Sequence, residues 1–294
     1  MRALIVNGDD FGLTQGVNAG ILDAHLHGIL TSTSLFANRP ATDDAITIAR
    51  QTPTLGVGCH LTLVDGVPVL PSAELPTLAP GGAFRATWGR FLAASLAGRI
   101  ELQEIERELS AQIERLRDSG ITLTHLDSHK HVHAYPPVFE IVARLAARLT
   151  IPVVRVPYER PALALVARFA GTRGPRKQAL ENLALAAWAE RDRRLLTRHG
   201  LPPAPRFLGR VLTGFFTRHR FHALLNAVPD GVNELMTHPG YVDTALKRMP
   251  TRLRTERTDE VRLLMASEIR ETIRRAGIVL VRHDGQLQRE SHVA

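Results

Sequence analysis

Every position from Ala3 to Val6 is apolar, and NGDDFG follows at once. A short run with no polar face suits a strand buried on both sides, and the Asn-Gly-Asp-Asp stretch ends it as a turn. The period then changes. Over residues 16–28, Val17, Ile21, Leu22 and Ala24 predict a helix that Gly28 closes. A strand at 31–36, a helix at 42–50 and a strand at 56–63 continue the alternation. Ile105, Leu109, Ile113 and Leu116 form one stripe, which predicts an amphipathic helix over 101–117. Strands at 123–126 and 153–156 flank a helix at 137–148. The chain then reads strand 233–236, helix 259–276 and strand 278–281.

Strand-helix alternation over most of the chain implies a parallel sheet. The polar clusters NGDD, GCH, LDSHKHVH and MTHPG each follow an apolar run, and they come from well-separated parts of the chain. Chemistry gathered at several strand C-termini predicts a TIM-barrel-like (β/α) barrel. Neither GxGxxG nor GxxxxGK[ST] follows the first strand, so a nucleotide-binding open sheet has little support. Residues 158–225 break the alternation. Rich in Ala, Leu and Arg and interrupted at 171–175 and 201–205, they read as a helical insertion within one barrel domain spanning 1–294.

Composition narrows the class. A hydrophobic content of 44% is too high for extensive disorder. Cys59 is the single cysteine, which rules out an intramolecular disulfide or a Cys-rich zinc module. MRALIVNGDD leaves no room for the apolar core of a signal peptide, and no apolar run of about 18 residues occurs. A cytoplasmic protein is expected. The net charge of +8 is concentrated: residues 155–225 hold 14 Lys/Arg against 4 Asp/Glu. Such a field attracts an anionic partner or is a solvated arginine face. With FLGRVLTGFFTRHRF it suggests peripheral contact with an anionic inner-membrane surface, unless that stripe is core. Nucleic acid is not an expected partner, because 3 Tyr and 2 Trp make a poor stacking platform and no recognition motif is present.

Asp9 and Asp10 are adjacent at the end of a buried strand, where one can bind a metal while the other acts on a water; a helix cap or turn would account for only one. His60 closes GVGCH, a place where a core histidine is the commoner outcome. THLDSHKHVHAYPP is different: it packs four histidines into nine residues. If the segment is extended, His129, His131 and His133 share a face, and Asp127 can hold an imidazole tautomer from behind. His238 in NELMTHPGY is a candidate general acid. A noncatalytic metal-binding module would explain the histidines but not Asp9 or His238.

NGDDFGLT, GVGCHLTL, LDSHKHVH and MTHPGY, in this order, resemble the YdjC/ChbG carbohydrate deacetylases, relatives of the NodB-type polysaccharide deacetylases. The likeness covers residues 1–157 and 226–285, together with TSTSLFANRPATDDAITIAR. It implies a NodB-related, seven-stranded barrel and removal of an N-acetyl group from an N-acetylglucosamine-type sugar. By position it implies Asp10, His60 and His129 as metal ligands and Asp9 as general base. His238 then becomes the preferred acid, and Asp127, His131, His133 and Tyr241 support the metal or touch substrate. One carboxylate and two imidazoles suit Zn2+ better than Mg2+, although the family is often described with magnesium. Relatives act on chitin-derived oligosaccharides, and one branch acts on an N-acetylglucosaminyl hopanoid; the basic region suggests the lipid-linked substrate.

Overall fold

Strand β1 (Arg2–Phe11) runs well past the apolar residues that announce it. The computed structural model describes residues 1–160 and 173–288. After β1 come α1 (Gln15–Leu26), β2 (Ser32–Leu35), α2 (Thr42–Gln51), β3 (Gly56–Leu61), α3 (Trp88–Leu96) and α4 (Leu102–Asp118). The middle of the chain supplies β4 (Leu123–Ser128), α5 (Pro136–Arg148), β5 (Val153–Val154), α6 (Arg173–Arg198), β6 (Arg206–Leu208) and α7 (Arg218–Asn226). The remainder is β7 (Gly231–Thr237), α8 (Thr244–Arg248), α9 (Thr255–Met265), α10 (Ser267–Arg275) and β8 (Ile278–Leu280).

All strand pairs are parallel, in the order β5-β4-β3-β2-β1-β7-β6. This is the expected seven-strand path. An eighth, short strand, β8, lies against Arg2–Leu4 of β1. Side chains close the path across the barrel: Arg155, just beyond β5, reaches Glu234 on β7, and His125 of β4 stacks on His283 at 3.6 Å. Along the strands the outward residues are apolar and packed under helices, as with Leu4 and Val6 of β1, and Cys59 and Leu61 of β3. The inward ones include Ser34, Gly58, His60, His125, Asp127 and Glu234. An interior this polar is tolerable only because its groups pair with one another.

Two predicted elements change. The 158–225 insertion is not wholly helical, since β6 lies within it and pairs with Asn233–Leu235 of β7. That strand is too short to show a period, and Pro202, Pro203 and Pro205 before it read only as a break. Residues 161–172 of the insertion lie outside the described residues. The helix predicted at 259–276 is two helices, α9 and α10, parted at Ala266 (ψ 131°). There the carbonyl of Leu264 accepts the N–H of Ile29 at 3.1 Å. Gly28 permits the approach, because a Cβ on it would stand 2.7 Å from that same oxygen.

The stretch between β3 and α4 shows no apolar period, yet polar residues on the buried face of α4 hold it. Glu108 accepts the N–H groups of Val69 and Leu70, Glu104 those of Thr77 and Leu78, and Gln112 both donates to and accepts from Thr62. This pinning presents Asp65 and Trp88 to the barrel mouth.

Gly58 packs its backbone against the ring of His125, where a Cβ would lie 2.4 Å from imidazole atoms. Gly58→Ala is therefore expected to cost roughly 1–3 kcal/mol by overpacking. Urea denaturation should show a lower midpoint with an unchanged slope.

Candidate active site

Asp9 and Asp10 sit where the β1/β2 register slips, between Gly8 and Phe11. Asp10 has φ 73°, a left-handed conformation costly for a residue with a Cβ and characteristic of functional strand ends. The alternation thus breaks at Asp10, and the two carboxylates meet different partners. Asp9 is gripped by Arg155, Nη1 to Oδ2 and Nη2 to Oδ1, each at 2.8 Å, and also accepts from Asn7. Asp10 accepts from Arg257 Nη2 at 2.5 Å through Oδ2. Its Oδ1 faces His60 Nε2 at 3.5 Å and His129 Nδ1 at 3.3 Å.

These three donor atoms, of Asp10, His60 and His129, lie within 4.8 Å of one another. Behind them, His60 Nδ1 meets Asp127 Oδ1 at 2.7 Å, which leaves Nε2 to face Asp10. Asp127 is itself held by Ser34 and by Arg155. Burial opposes a charged His60, but Asp127 and Asp10 together push it up to about 10. Burial also opposes charge on Asp10, yet Arg257 and the two histidines hold it well below the carboxylate range. Asp9, Asp10, Asp127 and Glu234 are all buried, against the buried guanidiniums of Arg155 and Arg257. One carboxylate oxygen and two imidazole nitrogens, converging in a cluster where buried carboxylates outnumber guanidiniums, fit a divalent cation.

The other predicted residues divide. His129, His131 and His133 do not share a face, because Lys130 and His131 adopt left-handed conformations (φ 54° and 53°) that coil the segment. His129 enters the site, and His131 lines the cavity farther on. His133 is buried beneath, between Ser128 and the carbonyl of Arg155. His238 lines the cavity with Nδ1 buried and unpartnered, while its backbone N–H donates to Glu260. Burial lowers its ring to about 4, against the pull of Asp9 and Asp10. Tyr241 does not reach the cavity; its hydroxyl donates to Asp23, which raises it to about 12.

Sequence reasoning missed several residues that shape the site. Arg155 was one charge in a basic stretch and Arg257 one in a polar helix, though both are fully buried. Asp65, which accepts from Lys130 and lies 3.7 Å from His129 Nε2, stood in an unpatterned loop. The cavity over the site has a volume of about 810 Å3, and α6 of the insertion supplies one wall.

An open parallel barrel with its buried polar cluster at the strand C-termini is the architecture of a (β/α)-barrel enzyme. The chain belongs to the YdjC-like protein family, whose model matches residues 3–275. It is 37% identical to a carbohydrate deacetylase of Brevibacillus brevis over 280 residues, 95% of this chain and 97% of that one. A Salmonella typhimurium chitooligosaccharide deacetylase is 45% identical over 148 residues, which is 50% of this chain and 56% of its own. Among solved structures, a candidate cellobiose-phosphate cleavage protein from Enterococcus faecalis superposes with a TM-score of 0.77 at 27% identity, covering 96% of this chain and 98% of that one.

Arg155→Met would strand three carboxylates in the interior. The expected loss is roughly 3–5 kcal/mol at neutral pH, the usual penalty for breaking a buried pair. Arg155, working against burial, helps hold Glu234 down to about 2. Stability from such a depressed carboxyl is present above the unfolded value and disappears as pH falls towards 2. The gap between wild type and variant should therefore narrow over that acid range in urea titrations.

Proposed function

We propose that this protein is a metal-dependent carbohydrate N-deacetylase that hydrolyses the acetamide of an N-acetylglucosamine-type sugar. The observation that carries the reading is the convergence of Asp10, His60 and His129 from three strand ends beside Asp9, on one cavity. The curated names of its relatives support the reaction class. Asp10, His60 and His129 would hold the ion, zinc more readily than magnesium by donor type. When bound, the ion polarises the amide carbonyl and lowers the pKa of water.

The chain's own residues do the rest. Asp9 takes the proton of the attacking water, and Arg155 and Asn7 fix the direction of its free lone pairs. Asp127 sets the tautomer of His60 so that Nε2 faces the site. His238 is neutral at neutral pH, so it must take up a proton before it can deliver one to the departing amine. The ring lines the same cavity as Asp9 and Asp10, which puts it within the site for that transfer.

A free oligosaccharide suits the site better than a lipid-linked sugar such as an N-acetylglucosaminyl hopanoid. The stripe that suggested membrane docking is core: Phe207, Leu208, Leu212 and Phe216 are buried. Arg210 faces the cavity, and Arg218 pairs with Glu268 at 3.1 Å. Among the described residues no helix is long and apolar enough to cross a membrane. Docking on an anionic leaflet would rest on charge alone, and salt-insensitive sedimentation with anionic vesicles would revive the glycolipid.

Two measurements test the site. Asp10→Ala, His60→Ala and His129→Ala should each lose bound metal, read by elemental analysis after dialysis, while keeping the fold. Full occupancy in all three overturns the ligand set. Asp9→Asn should keep its metal and lose acetate release by at least about a hundredfold, the scale of a general base. The reverse behaviour of Asp9→Asn and Asp10→Asn would exchange their roles.

A further inference from the structure

Each imidazole beside the Asp10 carboxylate turns one nitrogen to the site and keeps the other for a partner. For His60, Nε2 lies 3.5 Å from Asp10 Oδ1, and Nδ1 meets Asp127 at 2.7 Å. His129 is turned the other way. Its Nδ1 lies 3.3 Å from the same Asp10 oxygen, and its Nε2 has Asp65 Oδ2 at 3.7 Å. Both histidines thus have a carboxylate on the nitrogen remote from Asp10, although Asp127 is on β4 and Asp65 on the loop after β3. A neutral imidazole offers a lone pair from one nitrogen while the other carries the hydrogen. An acceptor at the remote nitrogen therefore decides which one is offered.

Asp65 is held in place by its own loop. Its N–H donates to the carbonyl of Arg85 at 3.0 Å, and the N–H of Phe84, which is buried, donates to the carbonyl of Gly66 at 2.8 Å. Lys130, the residue after His129, donates to Asp65 Oδ2 at 2.6 Å. Asp65 and Lys130 both have left-handed backbones, with φ 56° and 54°. Their side chains are 32% and 39% exposed, and an ion pair so open to water contributes little by itself. That is too little to account for two left-handed residues held against each other on the cavity wall. What the pair borders is His129, through the same Asp65 oxygen.

We propose that Asp65 is the positioning residue for His129: it keeps the hydrogen on Nε2, so that Nδ1 offers its lone pair to the ion, as Asp127 does for Nε2 of His60. This rests on His129 being a metal ligand. The two partners hold with different firmness. Asp127 is buried and fixed by Ser34 and Arg155, whereas Asp65 shares its oxygen with a lysine and is partly open to water. Asparagine tolerates a left-handed backbone, so Asp65→Asn removes the charge and spares the turn. Lys130→Asn likewise removes the ion pair and leaves Asp65 beside His129. Measured by competition with a chromophoric chelator, Zn2+ should bind Asp65→Asn at least about tenfold more weakly than wild type, the scale of a lost partner behind a metal-bound histidine. Lys130→Asn should bind Zn2+ no more weakly than wild type. In the zinc-loaded wild type, nitrogen-15 NMR should find the imidazole hydrogen of His129 on Nε2. Unchanged affinity in Asp65→Asn, equal weakening in the two variants, or a hydrogen on Nδ1 each overturns the role. His129→Ala separates this role from the ligand set. If that variant keeps wild-type Zn2+ affinity the ligand assignment fails, whereas weakened binding there beside an unchanged Asp65→Asn removes Asp65 alone.

Discussion

One guanidinium organises the barrel. Arg155 contacts Asp9, Asp127 and Glu234 at once and lies with its charge 5.1 Å from the centre of the Phe207 ring. Those carboxylates come from β1, β4 and β7, so a single side chain ties the ends of the open sheet through its interior. The arrangement is costly by itself, because desolvating one cation and three anions is repaid only when every lone pair finds a donor. Asn7, Ser34 and His60 supply the remaining donors. The same contacts that replace a closed hydrogen-bond ladder also aim Asp9, the proposed general base, so stability and orientation have one source.

That source explains why the interior is polar at all. An ordinary barrel fills its centre with layers of branched apolar side chains. Here the inward positions of β2, β3, β4 and β7 carry Ser34, His60, Asp127 and Glu234, with the apolar residues turned outward under the helices. The charges are unequal, two guanidiniums facing four carboxylates: Asp10 has Arg257 to itself, while Asp9, Asp127 and Glu234 share Arg155. A dication held by Asp10, His60 and His129 would sit beside this excess of negative charge.

How much of this was legible depended on whether a residue contradicted its surroundings. Asp9, Asp10, His60 and His129 stand at the ends of apolar runs, where polar side chains are anomalous, and the structure brings them together. Arg155 also ends an apolar run, but it begins a stretch of 14 basic residues, where one more arginine reads as surface charge. Arg257 sits in a helix whose other face is polar, so nothing local marks it. The coiling of His129–Ala134 depends on successive left-handed turns at Lys130 and His131, and neither residue in this stretch marks such a turn in the way that glycine would. The β6 strand is three residues long and takes its identity from pairing with β7. Local pattern shows what is out of place, while tertiary pairing decides what is buried.

Part of the basic excess of the insertion then has a local explanation. Arg155 lies inside the barrel, Arg210 lines the cavity wall, Arg191 and Arg218 pair with carboxylates of neighbouring helices, and Arg193 pairs with Glu190 on its own helix. Five of the 14 basic residues of this region are thus placed within the fold itself. What it adds is breadth, since α6 and the loop after β6 build the wall opposite the strand ends and turn a shallow barrel mouth into an enclosed groove. Strand termini therefore carry the Asp-His cluster, and the insertion carries a wall distant from it. Substitutions on α6 can reshape that wall without moving Asp9, Asp10, His60 or His129, because the two sets of side chains share a cavity but not an element.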